Sequence, residues 1–115
     1  METDDTLIAG LTRDLDGTFE ALVLAHQDRL YSIALRILGD PADAEEAAQD
    51  AFLRAYRALA GYDTARIRDL QLRPWLATIV LNLCRSRRSR TTSARSAMSL
   101  DAPFPADREP RTTND

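Results

Sequence analysis

Two long runs of apolar residues with helical spacing, separated only by Gly39, Asp40 and Pro41, constrain this chain more than any other feature. In the first run, apolar side chains recur every three or four positions from Phe19 to Ile37, which predicts a long amphipathic helix. Gly39 is suited to end that helix, and Asp40 and Pro41 are suited to cap and begin the next one. The sequence therefore predicts two long helices joined by a tight turn.

The apolar rows of the two long helices differ in width and in residue size. On the first helix, a second row widens the apolar stripe and predicts burial on two sides; it comprises Leu24, Tyr31, Leu35 and Leu38. His26 lies in the first row, where a packed core or interface histidine is expected rather than a catalytic one. The second helix is predicted to run to about Ala60 and to end at Gly61. Its core row is rich in small residues, which implies close packing on the first helix: Ala44, Ala47, Ala48, Ala51, Phe52, Ala55, Tyr56 and Leu59.

The remaining segments complete an all-α fold. A short helix is predicted around Thr6–Leu11, before a break at Asp14–Gly17, and Gly61–Gln71 is predicted to be a loop with room for one short turn. A last helix begins near Arg73, and beyond it the composition predicts a disordered linker. We expect a compact bundle of three to four helices with a disordered C-terminal linker, divided into a domain at 1–92 and a linker at 93–115.

Charge is distributed unevenly along the chain. All fifteen basic residues are arginine, which suits phosphate and base contacts, although codon bias explains the same feature equally well. Residues 1–63 hold thirteen acids and five arginines, a net charge of −8, whereas residues 64–98 hold eight arginines and one acid, a net charge of +7. This asymmetry indicates two surfaces for partners of opposite sign, one of them nucleic acid.

Several classes of protein are disfavoured by what the sequence contains. The single cysteine, Cys84, has no partner for an internal disulfide, and with the lone His26 it does not form a metal-binding motif. The acidic start does not resemble a signal peptide, and the longest uncharged apolar stretch, Pro74–Cys84, is too short to span a bilayer. No nucleophile elbow or Gly-rich phosphate loop is present. We therefore expect a cytoplasmic protein that is not an enzyme, has no cofactor and does not bind membranes.

The outer face of the second long helix is unusual because it carries an exposed leucine. Leu53 lies about 180° from Ala44 at 100° per residue, so it is expected to face solvent. A leucine surrounded by charges is typical of a small binding hot spot with a polar rim, and a solvated face with one stray leucine is an equally good interpretation. The residues of this face are Glu46, Gln49, Asp50, Leu53, Arg54 and Arg57.

The last helix offers a second candidate surface. Thr78, Asn82, Arg85 and Ser89 are predicted to share one flank that can donate hydrogen bonds along a nucleic-acid strand, and five arginines between positions 85 and 95 can neutralise phosphates. Tyr62 and Trp75 offer aromatic surfaces for unstacked bases, although core packing is the favoured interpretation of Trp75.

These two surfaces lie in sequences that resemble a known family. The stretch GDPADAEEAAQDAFLRAYR at 39–57, followed by RPWLATIVLNLCR at 73–85, closely resembles conserved region two of extracytoplasmic-function (ECF) sigma factors, and the resemblance covers roughly 7–90. The first stretch is similar to the segment that docks on the β′ clamp helices of core RNA polymerase. The second is similar to the segment that melts and recognises the minus-ten promoter element on the non-template strand.

The resemblance implies two sets of site residues. The polymerase-binding set comprises Asp43, Glu46, Gln49, Asp50, Leu53 and Arg54. The DNA-binding set comprises Tyr62, Asp63, Arg66 and Ile67, as the pocket for a flipped base, together with Arg73, Trp75, Thr78, Asn82, Arg85 and Arg88. The resemblance also implies an anti-sigma factor that covers one of these surfaces.

The chain departs from the family pattern in two respects. Ser86 stands where many relatives have an acid, and the chain ends in the predicted linker, before the helix-turn-helix domain that relatives carry. We expect a piece of a longer protein, and a natural single-domain variant is the alternative. Two other functions stay open from the residues: a helical protein-interaction module with an incidental Arg-rich tail, and a helix-turn-helix duplex reader, which the long loop at 61–71 disfavours.

Overall fold

A computed structural model of the chain describes residues 3–96, with side chains described as far as Arg88. These residues form five helices and no strand: α1 (Asp4–Arg13), α2 (Leu15–Leu38), α3 (Pro41–Gly61), α4 (Thr64–Arg68) and α5 (Leu72–Ser96). The predicted all-α class is confirmed. The short helix α4 lies within the segment that was predicted to be a loop with room for one short turn.

Among the described residues, the chain divides into two units, one that ends at Cys84 and one that begins at Arg85. The predicted boundary between 92 and 93 falls within α5, and the domain assignment stays a prediction. Residues 97–115 of the predicted linker lie outside the described residues.

The α2–α3 turn has the predicted construction. Gly39 adopts a left-handed φ of 76°, and its N–H donates to the Leu35 carbonyl at 2.8 Å. The Asp40 carboxylate accepts from the Asp43 N–H at 2.9 Å, and Pro41 occupies the first turn of α3. Because a side chain at Gly39 would be strained at this φ, the glycine allows the chain to reverse within two residues.

The break between α1 and α2 is shorter than predicted. Asp14 is the single residue between the two helices, and its carboxylate accepts from the Gly17 N–H at 3.0 Å. The predicted break at Asp14–Gly17 is therefore wrong at its C-terminal side, since this cap draws Leu15 to Gly17 into the first turn of α2.

The core lies where α3 packs on α2 and where α1 packs on both α2 and α4. The small residues of α3 are buried as predicted: Ala44, Ala47, Ala48, Ala51 and Ala55. His26 is also buried, at 4% exposure, and its Nε2 lies 3.1 Å from the Asp4 carboxylate. His26 is thus a packed histidine that connects α1 to α2, as the sequence predicted for a histidine in the core row.

A polar contact joins the start of α2 to the second half of α3. The Tyr56 hydroxyl donates a hydrogen bond of 2.5 Å to the Asp16 carboxylate, and the Tyr56 ring packs edge-on against Phe19 with centroids 5.3 Å apart. The hydrogen bond to Asp16 and the negative charge of that carboxylate raise the pKa of Tyr56 above its ordinary value. The contact holds the open end of the α2–α3 hairpin, opposite the turn at Gly39.

None of the helices described within residues 3–96 has the length and apolar character that crossing a bilayer requires.

Candidate protein and nucleic-acid interfaces

The outer face of α3 is exposed as the alanine row on the opposite side requires. Leu53 is 47% exposed and Asp50 is half-buried. The other predicted polymerase-binding residues are exposed: Asp43, Glu46, Gln49 and Arg54. The face therefore presents an apolar side chain among charges of both signs, with acids in excess toward the N-terminus of α3.

A second exposed leucine was not foreseen. Leu24 is 62% exposed, whereas the sequence placed it in a buried second row of α2 with Tyr31, Leu35 and Leu38. Those three residues are half-buried against the core. Leu24 points about 160° away from the buried Leu22 and His26, so the prediction that α2 is buried on two sides is wrong at this level of the helix.

Two residues predicted for the base pocket, Tyr62 and Arg66, meet Trp75, which was predicted as a DNA contact of the last helix, in the first unit. The Arg66 guanidinium carbon lies 4.0 Å from the centroid of the Tyr62 ring, and the Tyr62 and Trp75 rings lie 6.2 Å apart with a tilt of 54°. Arg66 is exposed, and both rings are half-buried. We call these three residues the aromatic cluster. Their contact could not be read from the sequence, because it depends on how the chain turns between α3 and α5.

A capped helical turn positions the aromatic cluster. Asp63 ends the extended connection after α3, and its carboxylate accepts from the Arg66 N–H at 2.8 Å, which starts α4. Ile67 is only 5% exposed and belongs to the core.

Two members of the predicted base pocket therefore have other local roles. Asp63 caps α4, and its role toward DNA stays a prediction. The prediction that Ile67 lines the base pocket is wrong, because its side chain anchors α4 in the core and is not available to line an open pocket. Since it is the one large apolar side chain of α4, Ile67 could have been assigned to the core from the sequence.

The part of α5 in the first unit exposes the predicted polar flank. Arg73, Thr78 and Asn82 are exposed, while the apolar side contributes Leu72, Leu76 and Val80 to the core. The Thr78 hydroxyl donates to the Pro74 carbonyl at 2.9 Å, and the Arg29 guanidinium donates to the Arg73 carbonyl at 3.3 Å. Arg29 thereby ties α2 to the start of α5, a contact that the sequence pattern does not indicate.

The remaining predicted DNA contacts belong to the second unit. Arg85 and Arg88 are both exposed. The flank predicted to combine Thr78 and Asn82 with Arg85 and Ser89 crosses the division between the units, so it stays a prediction.

Comparison with known proteins identifies the family. Residues 22–94 match the model of sigma-70 region 2. The chain belongs to the sigma-70 region 2 family. Its similar proteins include ECF sigma factors, so the resemblance stated from the two sequence motifs is confirmed.

Curated relatives show the extent of the similarity. The RNA polymerase sigma-H factor of Pseudomonas aeruginosa is 31% identical over 74% of this chain and 42% of its own length. The ECF factor SigW of Bacillus subtilis is 35% identical over 56% of this chain and 33% of its own length. SigK of Mycolicibacterium vanbaalenii is 32% identical over 89% of this chain and 53% of its own length. The sigma region 2 chain thus spans about half or less of the length of these relatives.

A solved structure shares the fold. An engineered region 2 of sigmaE, determined by NMR in complex with GTAAAA, has a TM-score of 0.63 and 26% identity, covering 84% of this chain and 95% of that one. The family match begins at Leu22, so α1 and the first turns of α2 lie before it.

Proposed function

We propose that this sigma region 2 domain acts in transcription initiation, binding core RNA polymerase through the outer face of α3 and capturing an unpaired strand of the minus-ten element with the aromatic cluster and α5. The meeting of Tyr62, Arg66 and Trp75 at one place is the observation that carries the proposal. The family membership and the complex of the structural neighbour with GTAAAA support it.

The aromatic cluster has the chemistry needed to hold an unstacked base. A base stacked on an aromatic ring contributes about 1–3 kcal/mol, and a guanidinium adds a cation–π contribution. Extruding a base from a duplex costs a few kcal/mol, so one well-stacked base offsets much of that cost. Capture of a flipped non-template base by this cluster would therefore favour the melted form of the minus-ten element.

Exposed residues of α5 in each of the two units supply further contacts to the strand. The exposed Thr78 hydroxyl can accept a hydrogen bond from a base edge, and the exposed Asn82 amide can bond to base edges or backbone. Arg73, Arg85 and Arg88 are exposed cations. Arginine contacts to phosphates supply affinity that falls with salt, whereas the cluster supplies selection for unpaired bases.

The outer face of α3 fits a protein partner better than a nucleic acid. Leu53 provides the apolar centre, and Asp43 and Glu46 would repel phosphates. We assign this face to the β′ clamp helices of core polymerase. An anti-sigma factor would inhibit the domain by covering this face or the DNA-binding face.

Titration with short single-stranded oligonucleotides tests the proposal. Trp75 is the only tryptophan in the chain, so its fluorescence reports directly on the aromatic cluster. We expect quenching that depends on oligonucleotide sequence and is weaker with the matching duplex. Binding that depends only on length and salt would instead support the interaction module with an incidental Arg-rich tail.

A further inference from the structure

The helix that carries Arg66, α4, is too short to be stable without tertiary contacts. α4 spans five residues, Thr64–Arg68, whereas isolated helices shorter than about 12 residues are marginal in water. Besides its backbone hydrogen bonds, α4 is supported by the Asp63 cap and by the burial of Ile67 at 5% exposure. The position of Arg66 over the Tyr62 ring therefore depends on what Ile67 packs against.

The N-terminal helix supplies part of that packing. α1 packs on α4 as well as on α2, and it buries Leu7 at 1% and Leu11 at 2% exposure. These two leucines belong to the same core cluster as Ile67. A displacement of α1 would thus loosen the surface on which α4 rests.

The docking of α1 is closely specified by its contacts with α2. The Asp4 carboxylate lies 3.1 Å from His26 Nε2. At the other end of the helix, a Cβ on Gly10 would lie 2.7 Å from Thr18 Oγ1 and 2.8 Å from Thr18 Cγ2. No larger residue fits at position 10 without a shift of Thr18 or of α1, so the glycine sets how closely the two helices approach.

We infer that α1, which precedes the segment matched by the family model, is a positioning element for the aromatic cluster and sets the affinity of the domain for unpaired DNA. α1 acts through α4: its docking on α2 fixes Ile67, and Ile67 fixes Arg66 relative to Tyr62 and Trp75. The effect on DNA affinity rests on the proposed function. The effect on the arrangement of the aromatic cluster can be measured without DNA.

The variant Gly10→Ala tests this inference in the full chain. Alanine favours helices more than glycine does, so α1 itself is not weakened, and only its approach to Thr18 is disturbed. We expect increased acrylamide quenching of Trp75 and an affinity for single-stranded oligonucleotide reduced about fivefold or more, the lower end of what one stacked base contributes. Affinity for core polymerase should be unchanged.

The double variant Gly10→Ala/Thr18→Ala provides the rescue. Removing Thr18 Oγ1 and Cγ2 leaves only its Cβ, 3.3 Å from the added methyl group, so α1 can dock again. We expect Trp75 quenching and oligonucleotide affinity to return toward the values of the unmodified chain. Thr18→Ala alone should leave both values unchanged.

A matched control separates positioning from general loss of stability. Ala44→Gly also lowers stability from a buried site, but Ala44 lies about 27 Å from Tyr62 along α3 at 1.5 Å per residue. It should leave Trp75 quenching and DNA affinity unchanged. Equal effects of Ala44→Gly and Gly10→Ala would overturn the inference.

Ile67→Ala distinguishes failure of this inference from failure of the proposed function. We expect it to reproduce both effects of Gly10→Ala, since it removes the anchor of α4 directly. If Ile67→Ala alters Trp75 quenching and Gly10→Ala does not, α1 does not position the cluster and the inference is wrong. If both alter Trp75 quenching and neither alters oligonucleotide affinity, the positioning stands and the proposed DNA function fails.

Discussion

The α2–α3 hairpin and the segment from Gly61 to Leu72 are stabilised in different ways. The hairpin has helices of 24 and 21 residues, a run of buried alanines, a glycine turn and a polar contact at its open end. Between the end of α3 and the start of α5, the segment has one five-residue helix, one capping side chain and one buried side chain, Ile67. Many redundant contacts make the hairpin a rigid scaffold for the face that we propose binds core polymerase, whereas few contacts leave the segment sensitive to single changes.

The largest effect is expected on the hairpin, from Leu53→Asp. Because Leu53 is exposed, the change should reduce affinity for core polymerase by at least about thirtyfold, as for a hot-spot residue, while the melting temperature stays nearly constant. Ala25→Asp adds the same charge at an exposed position of α2 and should retain binding. Normal polymerase binding by Leu53→Asp, measured by titration with fluorescently labelled domain, would remove the outer face of α3 from the interface.

The next largest effect is expected from Tyr62→Ala, which lies in the Gly61–Leu72 segment and should weaken binding of single-stranded DNA. The change removes the ring that contacts Arg66 and Trp75 and that is proposed to stack on an unpaired base, so affinity for a single-stranded oligonucleotide should fall about tenfold. Tyr31→Ala removes a half-buried tyrosine of α2 and serves as the control. Equal losses in the two variants would show that the effect comes from stability rather than from the cluster.

Arg85→Ala should give a smaller and salt-dependent effect. The slope of log affinity against log salt concentration should fall by up to about one, because at most one phosphate contact is lost. The measurement is oligonucleotide titration at several salt concentrations. An unchanged slope would show that the exposed Arg85 does not contact DNA.

The smallest effect concerns the pH dependence of the hairpin. The pKa of Tyr56 is raised above its ordinary value of 10.0, so the stabilisation from its contact with Asp16 is complete below that pH and is lost as pH rises through the raised value. The stability difference between the unmodified chain and Tyr56→Phe, measured by urea unfolding, should therefore shrink above about pH 10. A difference that stays constant to pH 11 would contradict the contact.

The sequence predicted the hairpin well because local signals and long-range packing agree there. Gly39, Asp40 and Pro41 each favour the observed turn, and the alanine row requires Leu53 to face outward. Leu24 was misassigned because the spacing of its row fits an apolar stripe, and spacing alone does not show which rows receive a packing partner. The aromatic cluster also escaped prediction as a unit, since Tyr62, Arg66 and Trp75 meet only after Asp63 caps α4 and Ile67 enters the core.

The hydrogen bond from the Thr78 hydroxyl to the Pro74 carbonyl has a consequence for selectivity. With its hydrogen directed into its own helix, the exposed oxygen of Thr78 offers only lone pairs to an incoming strand. Phosphate oxygens also offer only lone pairs, so Thr78 in this rotamer is matched instead to the exocyclic amino groups of adenine, cytosine or guanine. A side chain at this place would then favour bases that present an amino group, and an unpaired thymine could donate to it only through its N3–H.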